Sequence, residues 1–163
     1  MKIIKTIVPY ILIVIAVIGL RTYIFTPVKV NGDSMQPTLI DNEILILNKL
    51  AYNNKKINRF DIVVINYDNK SLVKRVVGLP AESIEYKESN LYVNNKLMKE
   101  AFISETTEDY SLSNTIPDNY YFVMGDNRNN SSDSRVVGLI KKEDIKGKVL
   151  IRLYPLNKLG KIN

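Results

Sequence analysis

Histidine, cysteine and tryptophan are all absent from the 163 residues. Without imidazole or thiol there is no Ser-His-Asp or Cys-His nucleophile pair, no imidazole or thiolate metal site, no disulfide and no Cys-x-x-Cys redox centre. Acid-base chemistry is left to lysine, tyrosine and carboxylates. The length, with 45% hydrophobic and 25% charged residues, suits one globular domain plus an appendage. A formal net charge of +6 is compatible with nucleic acid, an anionic membrane surface or an acidic partner, and charge alone does not choose among them.

The charges are unevenly placed. Thr6 to Leu20 carries none and is nearly all aliphatic, with Lys2 and Lys5 before it and Arg21 after it. Extended to a span from about Ile3 to Phe25, with Arg21 reaching outward along its stem, the run is long enough for a transmembrane helix. No Ala-x-Ala-like cleavage site follows it, so it reads as an uncleaved anchor and not a removed signal. The lysines at its amino side put the N-terminus in the cytoplasm and the remainder outside, although Arg21 pulls the other way. The expected division is residues 1–26 as cytoplasmic tip and anchor, and 27–163 as an extracytoplasmic domain.

Beyond Pro27 the apolar residues fall in short β-branched runs: Val28–Val30, Ile44–Leu47, Ile62–Ile65, Leu72–Val77, Leu91–Val93, Tyr120–Met124 and Val149–Leu153. Turn chemistry such as Asn53-Asn54, Asn94-Asn95 and Gly125-Asp126-Asn127 separates them, and no long helical period competes. The pattern predicts a mainly β domain. Residues 96–118 are polar and acidic, and read as a long loop or a small subdomain. The last thirty residues are basic, which fits either contact with anionic lipid or an ordinary solvated face. They lack the aromatic interleaving of a nucleic-acid surface.

A serine nucleophile in this chain needs a lysine base of lowered pKa. Ser71 and Lys74 have the Ser-x-x-Lys spacing that works on a helix, but in a strand they point to opposite faces. Ser34 is better presented, between the turn-forming Asn31-Gly32-Asp33 and Pro37. Lys74 lies mid-run in Ser71-Leu72-Val73-Lys74-Arg75-Val76-Val77. Alternation puts it on the face of Leu72 and Val76, with Arg75 opposite. Half-neutralising a lysine at pH 7 takes a burial penalty of roughly 4.6 kcal/mol, within the range of buried lysines. On spacing alone, an ordinary strand lysine reaching solvent and a turn serine are the favoured reading. The segment Gly125 to Arg135 is dense in amides, acids, serines and arginines. Arg128 occupies a position that a calcium loop would give to oxygen, and Arg128 and Arg135 can neutralise Asp126 and Asp133 within the loop. Neither metal nor cofactor is expected.

Taken in order, the apolar run, Gly32-Asp33-Ser34-Met35-Gln36-Pro37-Thr38-Leu39, Asp61-Ile62-Val63-Val64, Lys74-Arg75-Val76-Val77-Gly78-Leu79-Pro80 and Gly125 to Arg135 resemble the bacterial type I signal peptidases, over nearly the whole chain. The resemblance implies a membrane-bound serine endopeptidase on the outer face of the cytoplasmic membrane, with an antiparallel, barrel-like β arrangement. It would remove signal peptides from secretory preproteins after small residues in an Ala-x-Ala-like pattern. By matching positions, Ser34 would be the nucleophile and Lys74 the general base. Ser131 would orient the lysine, Asp133 and Arg135 would brace the site, and Asp126 and Arg128 would support it. Met35 and Pro37 would shape the substrate edge.

Two departures from the family pattern stand out. A serine that some members carry two residues before the nucleophile, to help hold the oxyanion, is Gly32 here, so the oxyanion would rest on backbone N–H groups, that of Ser34 among them. The stretch between the lysine and Gly125 blocks is short, which implies a reduced second domain, as in Gram-positive members. Two rivals remain at this stage: a LexA-like Ser-Lys autopeptidase, disfavoured by the apparent anchor and the lack of an Ala-Gly bond, and a membrane-tethered β-rich module that binds extended peptides without cutting them.

Overall fold

A computed structural model describes residues 2–162, with side chains from Ile7 onward; the side chains of Lys2 and Lys5 lie outside the described residues. The chain opens with a 22-residue helix, α1 (Lys2–Tyr23). Its apolar side chains, Leu12, Ile15 and Ile18 among them, are exposed. Among the described residues, no helix is long and apolar enough to cross a membrane. The expected span to Phe25 ends early, because the helix stops at Tyr23 and Phe25 already belongs to a strand. Pro27 biases Thr26 toward extended backbone, and Thr26 Oγ1 turns back to donate to the Arg21 carbonyl at 3.2 Å.

Twelve strands follow: β1 (Phe25–Lys29), β2 (Ile44–Asn48), β3 (Ile62–Tyr67), β4 (Lys70–Gly78), β5 (Ile84–Lys87), β6 (Asn90–Val93), β7 (Lys96–Met98), β8 (Tyr110–Ser111), β9 (Tyr120–Met124), β10 (Ile140–Lys141), β11 (Ile145–Tyr154) and β12 (Gly160–Lys161). Every β-branched run read from the sequence lies wholly or largely within a strand. The first seven in spatial order are β1-β2-β11-β3-β4-β9-β10, with β12 on β11, and a second sheet runs β7-β6-β5-β8. The pairing is antiparallel throughout. The sheet is open. Its path ends at β1 and β10, which do not pair, so the expected barrel-like closure is not made. A two-residue strand such as β10 offers too short an edge to carry a closing ladder.

Period-two alternation explains how the large sheet is buried on both faces. Ile62 and Val64 of β3 pack with Val30, Met35, Leu39 and Leu45 on one face. Val63 and Ile65 pack with Val76, Tyr121 and Val123 on the other. Phe122 and Met124 instead join Ile84, Tyr86, Leu91 and Ile116, which seals the second sheet against the first. The interval 96–118 is therefore not a purely solvated loop. It supplies β7 and β8, and its Thr107 and Ile116 are buried.

Candidate active site

Three segments distant in sequence meet at the middle of β4. Ser34 sits in the turn after β1, where Gln36 N donates to the Asp33 carbonyl at 3.0 Å and Leu39 N to the Met35 carbonyl at 2.8 Å. Met35 is 1% exposed and packs in the core beneath the turn. It thus pins Ser34 from below and does not line the exposed edge expected of it, whereas Pro37 is exposed. Gly32 has φ +85°, a left-handed backbone that disfavours any side chain. That geometry accounts for a glycine at this position. Gly32 N donates to Asp41 Oδ1 at 2.8 Å, so it is already engaged.

The loop after β9 is stapled onto this turn. Asn127 N donates to the Ser34 carbonyl at 3.1 Å, and Asn127 Nδ2 to the Asp33 carbonyl at 3.2 Å. Gly125 makes this approach possible: a Cβ there would lie 2.3 Å from both the Ser34 carbonyl oxygen and Ser131 Oγ. Asn127 was missed in the sequence. Its only signal there was its place in a loop crowded with amides.

Lys74 is 2% exposed, inside the sheet. Its Nζ donates to Ser131 Oγ at 3.0 Å. Burial brings its pKa down from the usual lysine range to about 8, opposed by the Asp133 carboxylate and reinforced by the Arg135 guanidinium. About half the Lys74 side chains are then neutral at pH 8. Among the described residues, no hydrogen bond joins Ser34 Oγ to Lys74 Nζ. The two are linked through the Gly125 contact, since Gly125 lies against both the Ser34 backbone and Ser131.

Asp133 and Arg135 pair within the loop, with Arg135 Nε donating to Asp133 Oδ1 and Nη2 to Oδ2, both at 2.9 Å. Burial alone would raise the Asp133 pKa, but the Arg135 guanidinium, the Ser131 hydroxyl and the Gly125 N–H together hold it below the usual carboxylate range. Asp133 also caps the short helix α2 (Ser134–Val137).

The other pair differs from expectation, since Asp126 and Arg128 do not neutralise each other. Asp126 instead takes a bidentate bond from Arg75, Nε to Oδ1 at 2.9 Å and Nη2 to Oδ2 at 2.7 Å. The register explains it. Arg75 of β4 faces Met124 of β9, and two residues further along the same face lies Asp126. Arg75 reaches further, donating to the Phe60 carbonyl at 3.1 Å and to Thr38 Oγ1 at 3.4 Å, and its guanidinium stacks 3.8 Å from the Phe102 ring. A charge set inside an apolar strand was the signal for a buried partner.

Arg128 turns the other way. Its Nη2 donates to Glu100 Oε1 at 2.7 Å, and its Nη1 to the Tyr86 hydroxyl at 2.9 Å and Thr107 Oγ1 at 3.1 Å. Glu100 and Thr107 come from the 96–118 interval, and nothing in sequence linked them to Arg128. The two arginines meet at one point, where Arg135 Nη2 donates to the Arg128 carbonyl at 2.6 Å. The chain thus holds the Ser34 turn against the loop that carries Ser131, the hydrogen-bond partner of the buried Lys74, and a serine hydroxyl with a lysine of lowered pKa is the pair of groups that nucleophilic acyl transfer uses. Among the described residues, no cluster of carboxylates suits a metal ion.

The family model described as signal peptidase, peptidase S26, matches residues 1–154. The chain is 40% identical to signal peptidase I S of Bacillus subtilis strain 168, over 93% of this chain and 90% of that protein. It is 39% identical to signal peptidase I of Bacillus caldolyticus, covering 93% and 92%. A crystal structure of a signal peptidase I from Enterococcus faecalis V583 superposes with a TM-score of 0.56 at 34% identity, over 58% of this chain and 97% of that one.

Proposed function

The chain belongs to the signal peptidase family, peptidase S26, a family of signal-peptide-cleaving serine peptidases, and we propose that Ser34 is its nucleophile and Lys74 its general base. The observation that carries this reading is the buried Lys74 held by Ser131 within the segment that is stapled to the Ser34 turn. Neutral Lys74 takes the proton as Ser34 Oγ attacks the scissile carbonyl. It returns that proton to the leaving amine, then draws one from the water that hydrolyses the acyl-enzyme. Substrate binding tightens the Ser34 to Lys74 distance to hydrogen-bond length, as catalytic contacts commonly do.

Because Gly32 N is engaged by Asp41, the Ser34 N–H is the backbone donor assigned to the oxyanion. Ser131 keeps the lysine aimed, and the Asp133 and Arg135 pair keeps Ser131 in place. Pro37 borders a groove of about 500 Å³ shared with Thr38, Phe102 and Ile103, which suits it to the substrate edge. Small residues flanking the bond, in an Ala-x-Ala-like pattern, are the assigned specificity.

Helix α1 is assigned as a membrane anchor. The described side chains alone make too short an apolar run to cross, but counted from Lys2, with the sequence Ile3-Ile4 included, the 22-residue helix rises about 33 Å against roughly 30 Å of hydrocarbon, and its aliphatic side chains are exposed from Ile7 onward. The lysines at positions 2 and 5 place the N-terminus in the cytoplasm and the β domain outside, where secretory preproteins emerge. Hydrolysis of a preprotein by the detergent-solubilised chain tests the dyad. Ser34→Ala and Lys74→Ala should each abolish cleavage, and a variant that cleaves as fast as the parent removes its residue from the dyad.

A further inference from the structure

We propose that the basic cleft between the loop after β2 and the turn after β10 seats the headgroup of an anionic phospholipid, fixing how the β domain rests on the membrane surface. This rests on the reading of α1 as an anchor. The cleft, about 540 Å³, is lined by Lys49, Lys141 and Lys142 with Tyr52, Asn119 and Tyr120. Glu143 also borders it, and its 3.5 Å pair with Lys141 is exposed on both sides, the kind of pair that contributes little. Three lysines against one carboxylate leave the cleft positive.

Its position identifies the occupant. Lys49 N donates to the Ile24 carbonyl and Lys49 Nζ to the Thr22 carbonyl, both at 2.9 Å, so this lysine is tied to the end of α1. The same residue lines a second cavity with Ile18, Arg21, Thr22 and Pro27, which makes the lined surface continuous from the flank of α1 into the basic cleft. Tyr23 and Leu50 are exposed at this end, placing an apolar edge and an aromatic beside the lysines as at a membrane interface. A phosphodiester has one negative charge and unshared oxygens, matching ammonium donors.

Three other basic residues of the C-terminal region pair with carboxylates, while Lys146, Lys158 and Lys161 are exposed. Lys148 pairs with Asp61, Arg152 with Glu43, and Arg135 with Asp133. Among the exposed lysines of this region, Lys141 and Lys142 share the cleft with Lys49, which is bonded to the end of α1.

The full chain in nonionic detergent, mixed with phosphatidylglycerol or phosphatidylcholine and read by native mass spectrometry, tests the proposal. Phosphatidylglycerol should be retained in preference to phosphatidylcholine. At about fivefold per lysine, Lys141→Gln with Lys142→Gln should weaken phosphatidylglycerol binding about 25-fold, and Lys142→Gln alone about fivefold. Lys87→Gln with Lys96→Gln, an equal charge change on the second sheet, should have no effect. Equal retention of the two lipids, or an unchanged preference in the cleft variant, overturns the proposal. So does glycerol phosphate binding as tightly as the lipid, since the ligand would then be a soluble phosphate. Carbonate extraction from phosphatidylcholine vesicles examines the anchor separately: release there removes the anchor reading, whatever the headgroup preference.

Discussion

Lys74 Nζ donates to Ser131 Oγ across 3.0 Å, joining a strand in the sheet to a loop 57 residues away. The bond fixes the lysine's direction, and the loop that supplies it also holds the Ser34 carbonyl through Asn127. The proposed base and nucleophile are therefore positioned by the same eleven-residue segment, Gly125 to Arg135.

Removing that hydroxyl should cost rate more than binding. Ser131→Ala should lower kcat by about 10- to 100-fold with little change in KM, the loss expected when a buried base is left without the hydrogen-bond partner that orients it. Steady-state cleavage of a preprotein measures it. A proportionate rise in KM with unchanged kcat would assign Ser131 to substrate binding instead.

The working form of Lys74 is neutral, so activity should climb as pH rises and level off above about 8. Arg135 helps to hold that value down, and it also pairs with Asp133, whose charge pushes it up. Arg135→Gln removes the first influence and frees the second. Both changes move the ascending limb of the pH profile to higher pH, and a limb that stays in place would show that Arg135 does not act through Lys74.

Stability should also rise with pH. The folded pKa of Lys74 lies below the unfolded one, so between about pH 8 and 10.5 the unfolded chain binds more protons and stability rises with pH. Below pH 8 the buried ammonium costs about 3 kcal/mol. Lys74→Met should therefore be inactive yet no less stable than the parent at pH 7, and it should lose the alkaline gain. Urea unfolding at pH 7 and pH 10 gives both comparisons.

Gly125 leaves no room for a side chain. With 2.3 Å to the Ser34 carbonyl oxygen and to Ser131 Oγ, Gly125→Ala must part the two loops, at about 1–3 kcal/mol. Cleavage should fall further than the loss of stability explains, because nucleophile and lysine separate. Wild-type kcat in a folded Gly125→Ala protein would contradict the geometry.

The ion pair between Arg128 and Glu100 is buried on both sides. Glu100→Gln leaves the guanidinium without its carboxylate and should destabilise the protein by about 3–5 kcal/mol. Thermal unfolding checks it, and a change below 1 kcal/mol would mean that the Tyr86 and Thr107 hydroxyls suffice.

Without histidine or cysteine, a serine nucleophile requires a lysine, but Lys29 as well as Lys74 lies inside an apolar run, so the proposed pair of Ser34 and Lys74 came from the order of the resembling sequence blocks and not from local chemistry alone. Strands were readable, since Ile62–Ile65 and Tyr120–Met124 have the length and branching of buried strands. The short β7, β8, β10 and β12 were not, because two or three residues carry too little periodicity to register.

The sequence by itself determined the absence of imidazole and thiol chemistry, the β-branched runs that make the sheets, and the adjacency of Asp133 and Arg135 that lets them pair within a single turn. Which charges meet across the fold was decided only in three dimensions. Asp126 is two residues from Arg128, yet it pairs with Arg75, because strand register sets Arg75 beside it while Arg128 extends to Glu100 in the second sheet's connection. Buried ions must find partners wherever the packed chain presents them. Sequence distance does not report that, and so the wiring of the site, more than its membership, belongs to the tertiary structure.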